Sequence, residues 1–312
     1  MTALLDVILP VFLVIAFGYT MARARWMDAP TVDGIMRYAQ NFAAPCLLFK
    51  SVAALDLTQA YDPGLMLSFY LAAFAAFGVG VAGARLIFHR PAADCVAIGF
   101  ACLFSNSLLL GVPITERAFG TAALAGNFAI ISIHSPLFYG AGITAMELVR
   151  ARGLGLSPAT LARKVLRAIL TQPLVIGIIA GFAVNLSGLP FPGVALDAVN
   201  MIAASAIPAA LFGLGGVLIR YRTEGDRATI AMICGISLIL HPGLAYVLGR
   251  FVFDIDTPAL RSVVTTACMA PGVNAYVFAN LYGVAKRVNA SAVLIATALS
   301  IITISGWLQI LP

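Results

Sequence analysis

The chain has 312 residues, 61% of them hydrophobic and only 10% charged, and its mean hydropathy is +0.99. A soluble domain carries about 25% charge, so the composition excludes one and points to an integral membrane protein. The formal charge of +6 is not a nucleic-acid signal, because basic residues in such chains chiefly report orientation.

Apolar runs of about 20 to 25 residues, each enough to cross roughly 30 Å of hydrocarbon as a helix, lie near 4–22, 33–54, 64–88, 92–115, 121–147, 165–188, 198–219, 227–250, 259–283 and 289–311. The predicted fold is an all-α integral membrane protein with ten transmembrane helices. The first run is a helix rather than a cleaved leader: Asp6 precedes the apolar stretch and no basic residue does, although Ala22-Arg23-Ala24 offers small residues around a cut. The second carries Pro45 and, near its end, Lys50, which can attract an anion or snorkel to the interface. The fourth contains FSNSLLLGVPITERAFG (Phe104–Gly120), in which Asn106, Gly111 and Pro113 are poor helix residues in lipid. The fifth offers Asn127, Ser132, His134, Ser135 and Tyr139, with Asn127, His134 and Ser135 at helical spacing on one side, as expected of a face lining a cavity. In the eighth, His241-Pro242 predicts a kink. The ninth contains ACMAPGVNAYVFANLYG (Ala267–Gly283), again with a mid-run break at Pro271, Gly272 and Asn274.

Basic residues are unevenly placed. Loops after odd-numbered runs hold Arg23, Arg25, Arg85, Arg90, Arg150, Arg152, Arg163, Lys164, Arg167, Arg220, Arg222, Arg227, Lys286 and Arg287, which is fourteen of nineteen, whereas even-numbered loops carry Asp56, Asp62, Asp197, Asp254 and Asp256. The positive-inside rule makes the odd loops cytoplasmic and puts both termini outside. A shift of 163 residues pairs Pro10 with Pro173, Gly18 with Gly181, Pro45 with Pro208, Phe49 with Phe212 and Gly120 with Gly283. Two halves, 1–150 and 164–312, of five helices each would enter the membrane from opposite sides, giving inverted repeats whose fourth and ninth helices are broken and cross, as in many secondary transporters.

The segments NSLLLGVPI and AFG within Asn106–Gly120, and MAPGVNAYVFANLYG at Met269–Gly283, are similar to the two crossover motifs of the auxin efflux carrier family, which includes plant auxin exporters and many bacterial carriers; ILPVFLVIAFGY and NFAAPCLLF also fit. The likeness covers nearly the whole chain. It implies ten helices, a scaffold of helices one, two, six and seven, a moving transport part made of helices three to five and eight to ten, and elevator-type displacement of a small organic anion. It also implies a homodimer by analogy. The long cytoplasmic loop of some plant members is absent.

Asn106 and Asn274 are the principal candidates for holding a carboxylate, because each sits beside backbone freed at a break and half-helix ends attract anions. Ser105, Ser107, Tyr276, Asn127 and His134 are further substrate-binding candidates, although small hydroxyls often bond back to local backbone and a lone histidine is commonly a packing residue. Gly111, Pro113, Pro271 and Gly272 are assigned to shaping the crossover, and Pro10, Pro45, Pro173 and Pro208 to plain kinks. Neither break holds an Asp or Glu, so paired carboxylates for sodium or protons are not evident. Cys46, Cys95, Cys102, Cys234 and Cys268 show no metal-ligand spacing. No cofactor, metal or catalytic motif is indicated, and the partners expected are the organic anion and membrane lipid. The reading is a secondary transporter exporting a small carboxylate from the cell across the inner or plasma membrane. Its alternatives are a sodium- or proton-coupled importer of an acid such as malonate, and a non-transporting sensor that kept a carrier fold.

Overall fold

The computed structural model describes residues 2–150, 158–188, 191–221 and 224–312. Arg152 and Arg222 of the basic segments lie outside them. In chain order the helices are α1 (Thr2–Arg23), α2 (Ala29–Tyr38), α3 (Ala44–Ala53), α4 (Leu57–Ala60), α5 (Pro63–Leu86), α6 (Ala92–Leu103), α7 (Val112–Phe119), α8 (Leu124–Arg150) and α9 (Pro158–Leu170). There follow α10 (Pro173–Ser187), α11 (Gly193–Ala204), α12 (Ala206–Leu218), α13 (Arg227–Gly235), α14 (His241–Val247), α15 (Thr257–Ala267), α16 (Val273–Tyr282) and α17 (Lys286–Ile310). Wide π-helical turns join α2 to α3 at Ala39–Ala43, precede α7 at Ser107–Gly111, and flank α14 at Ile236–Leu240 and Leu248–Val252.

Many of the starts are set by aspartate. Asp28, Asp56, Asp62, Asp226 and Asp256 each accept a backbone N–H of the helix that follows, satisfying a donor that has no partner inside the helix. Side-chain hydrogen bonds from Thr31, Thr58 and Thr229 hold the carboxyls of Asp28, Asp56 and Asp226 below the usual carboxylate range. Asp56, Asp62 and Asp256, read from the sequence as marks of orientation, therefore also start helices.

The expectation of ten membrane-spanning helices arranged as two inverted five-helix repeats is overturned. Among the described residues six helices are long and apolar enough to cross a membrane: Asp6–Arg23, Pro63–Leu86, Thr121–Arg150, Gly193–Leu218, Arg227–Val252 and Lys286–Ile310. The physical reason is that an apolar run does not guarantee an unbroken hydrogen-bond ladder. The fourth run divides into α6 and α7, the sixth into α9 and α10, and the ninth into α15 and α16. The apolar helices Ala92–Leu103 and Pro173–Ser187 have 12 and 15 residues, which at about 1.5 Å per residue is shorter than a hydrocarbon core of roughly 30 Å. The second run joins α2 and α3 but holds Asp33, Arg37 and Lys50.

Two tight seams organise one side of the protein. α1 lies along α12, and α3 along α10. A Cβ at Gly18 would fall on the carbonyl oxygen of Phe212, one at Gly215 on that of Ile15, and one at Gly177 on that of Pro45, so these backbones meet where only glycine fits. The outer faces carry large apolar side chains such as Leu13, Phe17 and Phe42, as a lipid-facing surface does. On the other side α5 packs on α6, and Phe100 stacks on Phe278 with ring centroids 4.0 Å apart in a second aromatic core. Carbonyls freed by proline find donors. Arg117 donates to the oxygens of Asp6 at 2.7 Å and Val7 at 2.9 Å, Asp6 being four residues before Pro10, whose ring removes the usual donor. Trp307 Nε1 does the same for Leu238, four residues before Pro242, at 2.9 Å.

Candidate functional site

The two interruptions singled out in the sequence meet. α6 ends where Phe104 N–H bonds to Phe100 O at 3.1 Å, and α15 ends where Cys268 N–H bonds to Val264 O at 2.9 Å. Between the breaks Asn106 N–H donates to Ala270 O at 2.8 Å and Gly272 N–H to Phe104 O at 2.9 Å, so that Ser105 and Pro271 face each other in an isolated antiparallel bridge. Pro271 has no N–H to offer, and the geometry asks none of it, because the donors are the residues on either side of the pair. Buried backbone that has left its helix is thus satisfied by the other break.

Past the bridge each chain resumes helically. The turn Ser107–Gly111 leads directly into α7, with Pro113 at the junction, and α16 starts at Val273 directly after Gly272. Both starts border a cavity of ≈ 120 Å³, whose lining includes Ser107, Leu108 and Leu109 from the first and Gly272, Val273 and Asn274 from the second. Amide N–H groups at helix starts carry partial positive charge. No Asp, Glu, Lys or Arg lines this cavity among the described residues.

Of the sequence candidates, Ser105, Asn106, Ser107, His134, Asn274 and Gly272 line the cavity together. The hydroxyls of Ser105 and Ser107 bond to each other at 2.8 Å. His134 is 3% exposed, in a cage of Phe104 and Phe138 with centroids 4.7 and 4.4 Å away; the Ser105 backbone lies beside it, and neither ring nitrogen has a partner in hydrogen-bond geometry among the described residues. Ser135 is also in the wall.

Asn127 and Tyr276 lie outside it. Asn127 is fully buried and donates through Nδ2 to Thr115 Oγ1 at 3.1 Å and Thr266 Oγ1 at 2.8 Å, tying α8 to α7 and α15. Tyr276 packs against Tyr221 with centroids 4.9 Å apart. Gly111 and Pro271 are buried but are not in the lining, and Gly111 has Met269 Cγ at 3.6 Å from where a Cβ would sit, an ordinary contact.

Sequence reasoning missed Gln40 and Asn41, on the π-turn between α2 and α3, and Gln172, at the break before α10; all three line the cavity. Adjacent amides inside an apolar run, and an amide directly before a helix-breaking proline, were the available signals. Pro173, read as a kink, instead starts α10 and stands in the cavity wall.

With this geometry established, known proteins add the identity. A family model described as membrane transport protein matches residues 3–308. The chain belongs to the membrane transport protein family. That is the auxin-efflux-carrier type of transporter which its break motifs resemble. It is 24% identical over 311 residues to a protein of Rhizobium meliloti named "Putative malonate transporter", covering 100% of this chain and 97% of that one. It is also 24% identical over 316 residues to an "Uncharacterized transporter" of Methanothermobacter thermautotrophicus, covering 98% of each. The protein is therefore a multi-pass membrane transporter and not an enzyme.

Proposed function

We propose that this transporter moves a small organic carboxylate by alternating access, with the anion held in the cavity at the paired breaks. The observation carrying this reading is the bridge between Ser105 and Pro271, which brings two helix starts to one neutral, amide-rich cavity. Asn106, Asn274, Gln40, Asn41 and Gln172 supply donors, and the helix starts supply positive potential without a fixed cation. A cargo with one net charge suits such a wall, because a dianion would bring a second charge out of water with nothing to balance it.

The cavity wall comes from two groups of helices. α1–α3 and α10–α12, with their connecting turns, contribute Gln40, Asn41, Ala44, Gln172, Pro173 and Leu174; α5–α8 and α13–α17, with theirs, contribute the rest. The reading is that the second group slides against the first and carries the paired breaks from one membrane face to the other, as an elevator does. An inside-negative potential would drive a monoanion outward with about 2.3 kcal/mol per 100 mV. In proteoliposomes, Asn106→Ala and Asn274→Ala should each lower flux of labelled small carboxylates at least tenfold while the unfolding midpoint stays put. Unchanged flux in either variant counts against the site.

The name of the Rhizobium relative favours malonate as a cargo, and the second reading is its import coupled to protons or sodium. Labelled malonate flux with and without an imposed ion gradient separates the two.

A further inference from the structure

Away from the paired breaks, a second cavity of ≈ 180 Å³ lies where the end of α12 meets the start of α17. Arg220, Tyr221 and Glu224 form one wall, and Tyr276, Lys286 and Arg287 the other. Its chemistry is the opposite of the neutral central cavity, since three cations line it against one carboxylate.

Two observations indicate that it is built for a ligand. Tyr221 is only 8% exposed, packs on Tyr276, and buries a hydroxyl that has no hydrogen-bond partner among the described residues. Leaving such a group unpaired is costly, and an incoming acceptor would relieve that cost. Burial holds the phenol well above its ordinary range, so it is a neutral O–H donor. The cations are also held in place or free to act. Arg220 is anchored from outside the cavity by Asp33 at 2.7 Å and by the Ala29 carbonyl at 2.7 Å. Arg287 stands 3.6 Å from Glu224, and Lys286 has no ion-pair partner among the described residues.

We infer that this cavity is a second anion site, for a phosphate-type oxyanion, in which Tyr221 donates its O–H and Lys286, Arg287 and Arg220 balance the charge. A phosphate has oxygens enough for one phenol and several cationic donors at once. Arg220 and Tyr221 follow α12, whereas Tyr276, Lys286 and Arg287 belong to α16 and α17, so a bound phosphate ties the two groups of helices together. On the proposed two-group motion, that clamp slows transport; binding itself does not depend on that motion. The phosphate could arrive free in solution or as the headgroup of an anionic lipid.

The test begins with inorganic phosphate titrated onto the purified full-length protein in detergent, followed by calorimetry and by thermal unfolding. Saturable binding is expected, at least tenfold weaker in Tyr221→Phe and in Lys286→Gln. Tyr221→Phe removes one oxygen that has no partner, so the ligand-free protein should unfold at the wild-type temperature or above it. Asn106→Ala should bind phosphate like wild type, which separates failure of the central site from failure of this one. For the lipid source, flux is compared in phosphatidylglycerol and phosphatidylcholine vesicles without phosphate. Slower flux in phosphatidylglycerol that Lys286→Gln restores assigns the site to a headgroup. Absence of both effects, or phosphate binding and lipid response unaltered by both substitutions, overturns the proposal.

Discussion

Two places in this protein bring distant backbones into close contact, and they do so by different physics. Where α1 lies on α12, the contact runs along continuous helices and depends on missing side chains: Gly18 and Gly215 each face a carbonyl oxygen of the other helix. Where Phe104–Asn106 meets Ala270–Gly272, the contact is two hydrogen bonds of 2.8 and 2.9 Å between strands of backbone that have left their helices. A Cβ at Gly272 would find its nearest atom, Phe104 Cδ1, at 3.6 Å. The first is a joint fitted along its length, with no freedom to shift by an ångström without collision. The second spends few contacts on being joined and leaves amides, hydroxyls and an imidazole around a cavity.

The contrast breaks most directly at Gly215. In Gly215→Ala the new methyl coincides with the Ile15 carbonyl, which is backbone and has no rotamer to retreat to, so α1 and α12 must separate. A loss of about 2–3 kcal/mol is expected, in the range of overpacked cores, read as the midpoint of urea unfolding in mixed micelles. A loss below about 0.5 kcal/mol would show that the seam is looser than its geometry. Arg117→Met comes next. It removes both donors from the carbonyls of Asp6 and Val7 where Pro10 has broken the ladder, and because these groups are partly exposed the expected cost is about 1–2 kcal/mol, by the same unfolding measurement.

Nearer the paired breaks the effects should shrink. Asn127→Leu deletes two donated bonds, yet Thr266 still donates to Ser262 O at 2.6 Å and Thr115 to Thr265 at 2.9 Å. The asparagine's own Oδ1 has no partner among the described residues, so the leucine removes an unsatisfied acceptor as well. The net loss should be under about 1 kcal/mol, in line with interhelical polar contacts in membranes. Anion affinity should change less than about twofold, because the residue is not in the cavity wall; a larger change in affinity would join Asn127 to the site.

How much of this was visible beforehand follows the range of the signal. Asn106, Pro271 and Asn274 stood out because an amide or a proline in an apolar run is a local anomaly, and membrane class followed from composition. Gly18, Gly181 and Phe49, Phe212, noticed only as landmarks repeating at a fixed shift, turn out to mark the seams: Gly18 meets the Phe212 carbonyl and Gly181 that of Phe49. The number of continuous spans was not legible, because hydropathy reports solvent preference and is blind to whether each N–H reaches back four residues. That Asn127 and Tyr276 lie outside the cavity wall was not legible for another reason. Helical spacing gives the side of a helix a residue is on, and leaves open whether a cavity or a neighbouring helix stands there. Gln40, Asn41 and Gln172 reach the cavity only through the packing of α3 on α10, a contact between segments far apart in the chain.

The smallest expected effect is the sharpest check on the contrast. Gly272 has φ −68° and ψ 158° as the residue before α16, a conformation any residue adopts, and an added methyl would touch Phe104 Cδ1 at 3.6 Å and Asn106 Cα at 3.7 Å. Alanine also narrows the unfolded ensemble, which at a compatible site stabilises by about 0.4–1 kcal/mol. Gly272→Ala should therefore leave the unfolding midpoint unchanged or raise it slightly, where Gly215→Ala lowers it steeply. Its methyl would occupy part of a ≈ 120 Å³ cavity, so half-saturation should rise more for a bulky carboxylate than for a compact one, measured as flux against concentration for each. If Gly272→Ala instead unfolds the protein as readily as Gly215→Ala, the paired breaks are as rigidly fitted as the α1–α12 seam, and the division of this molecule into a fixed joint and an openable one fails.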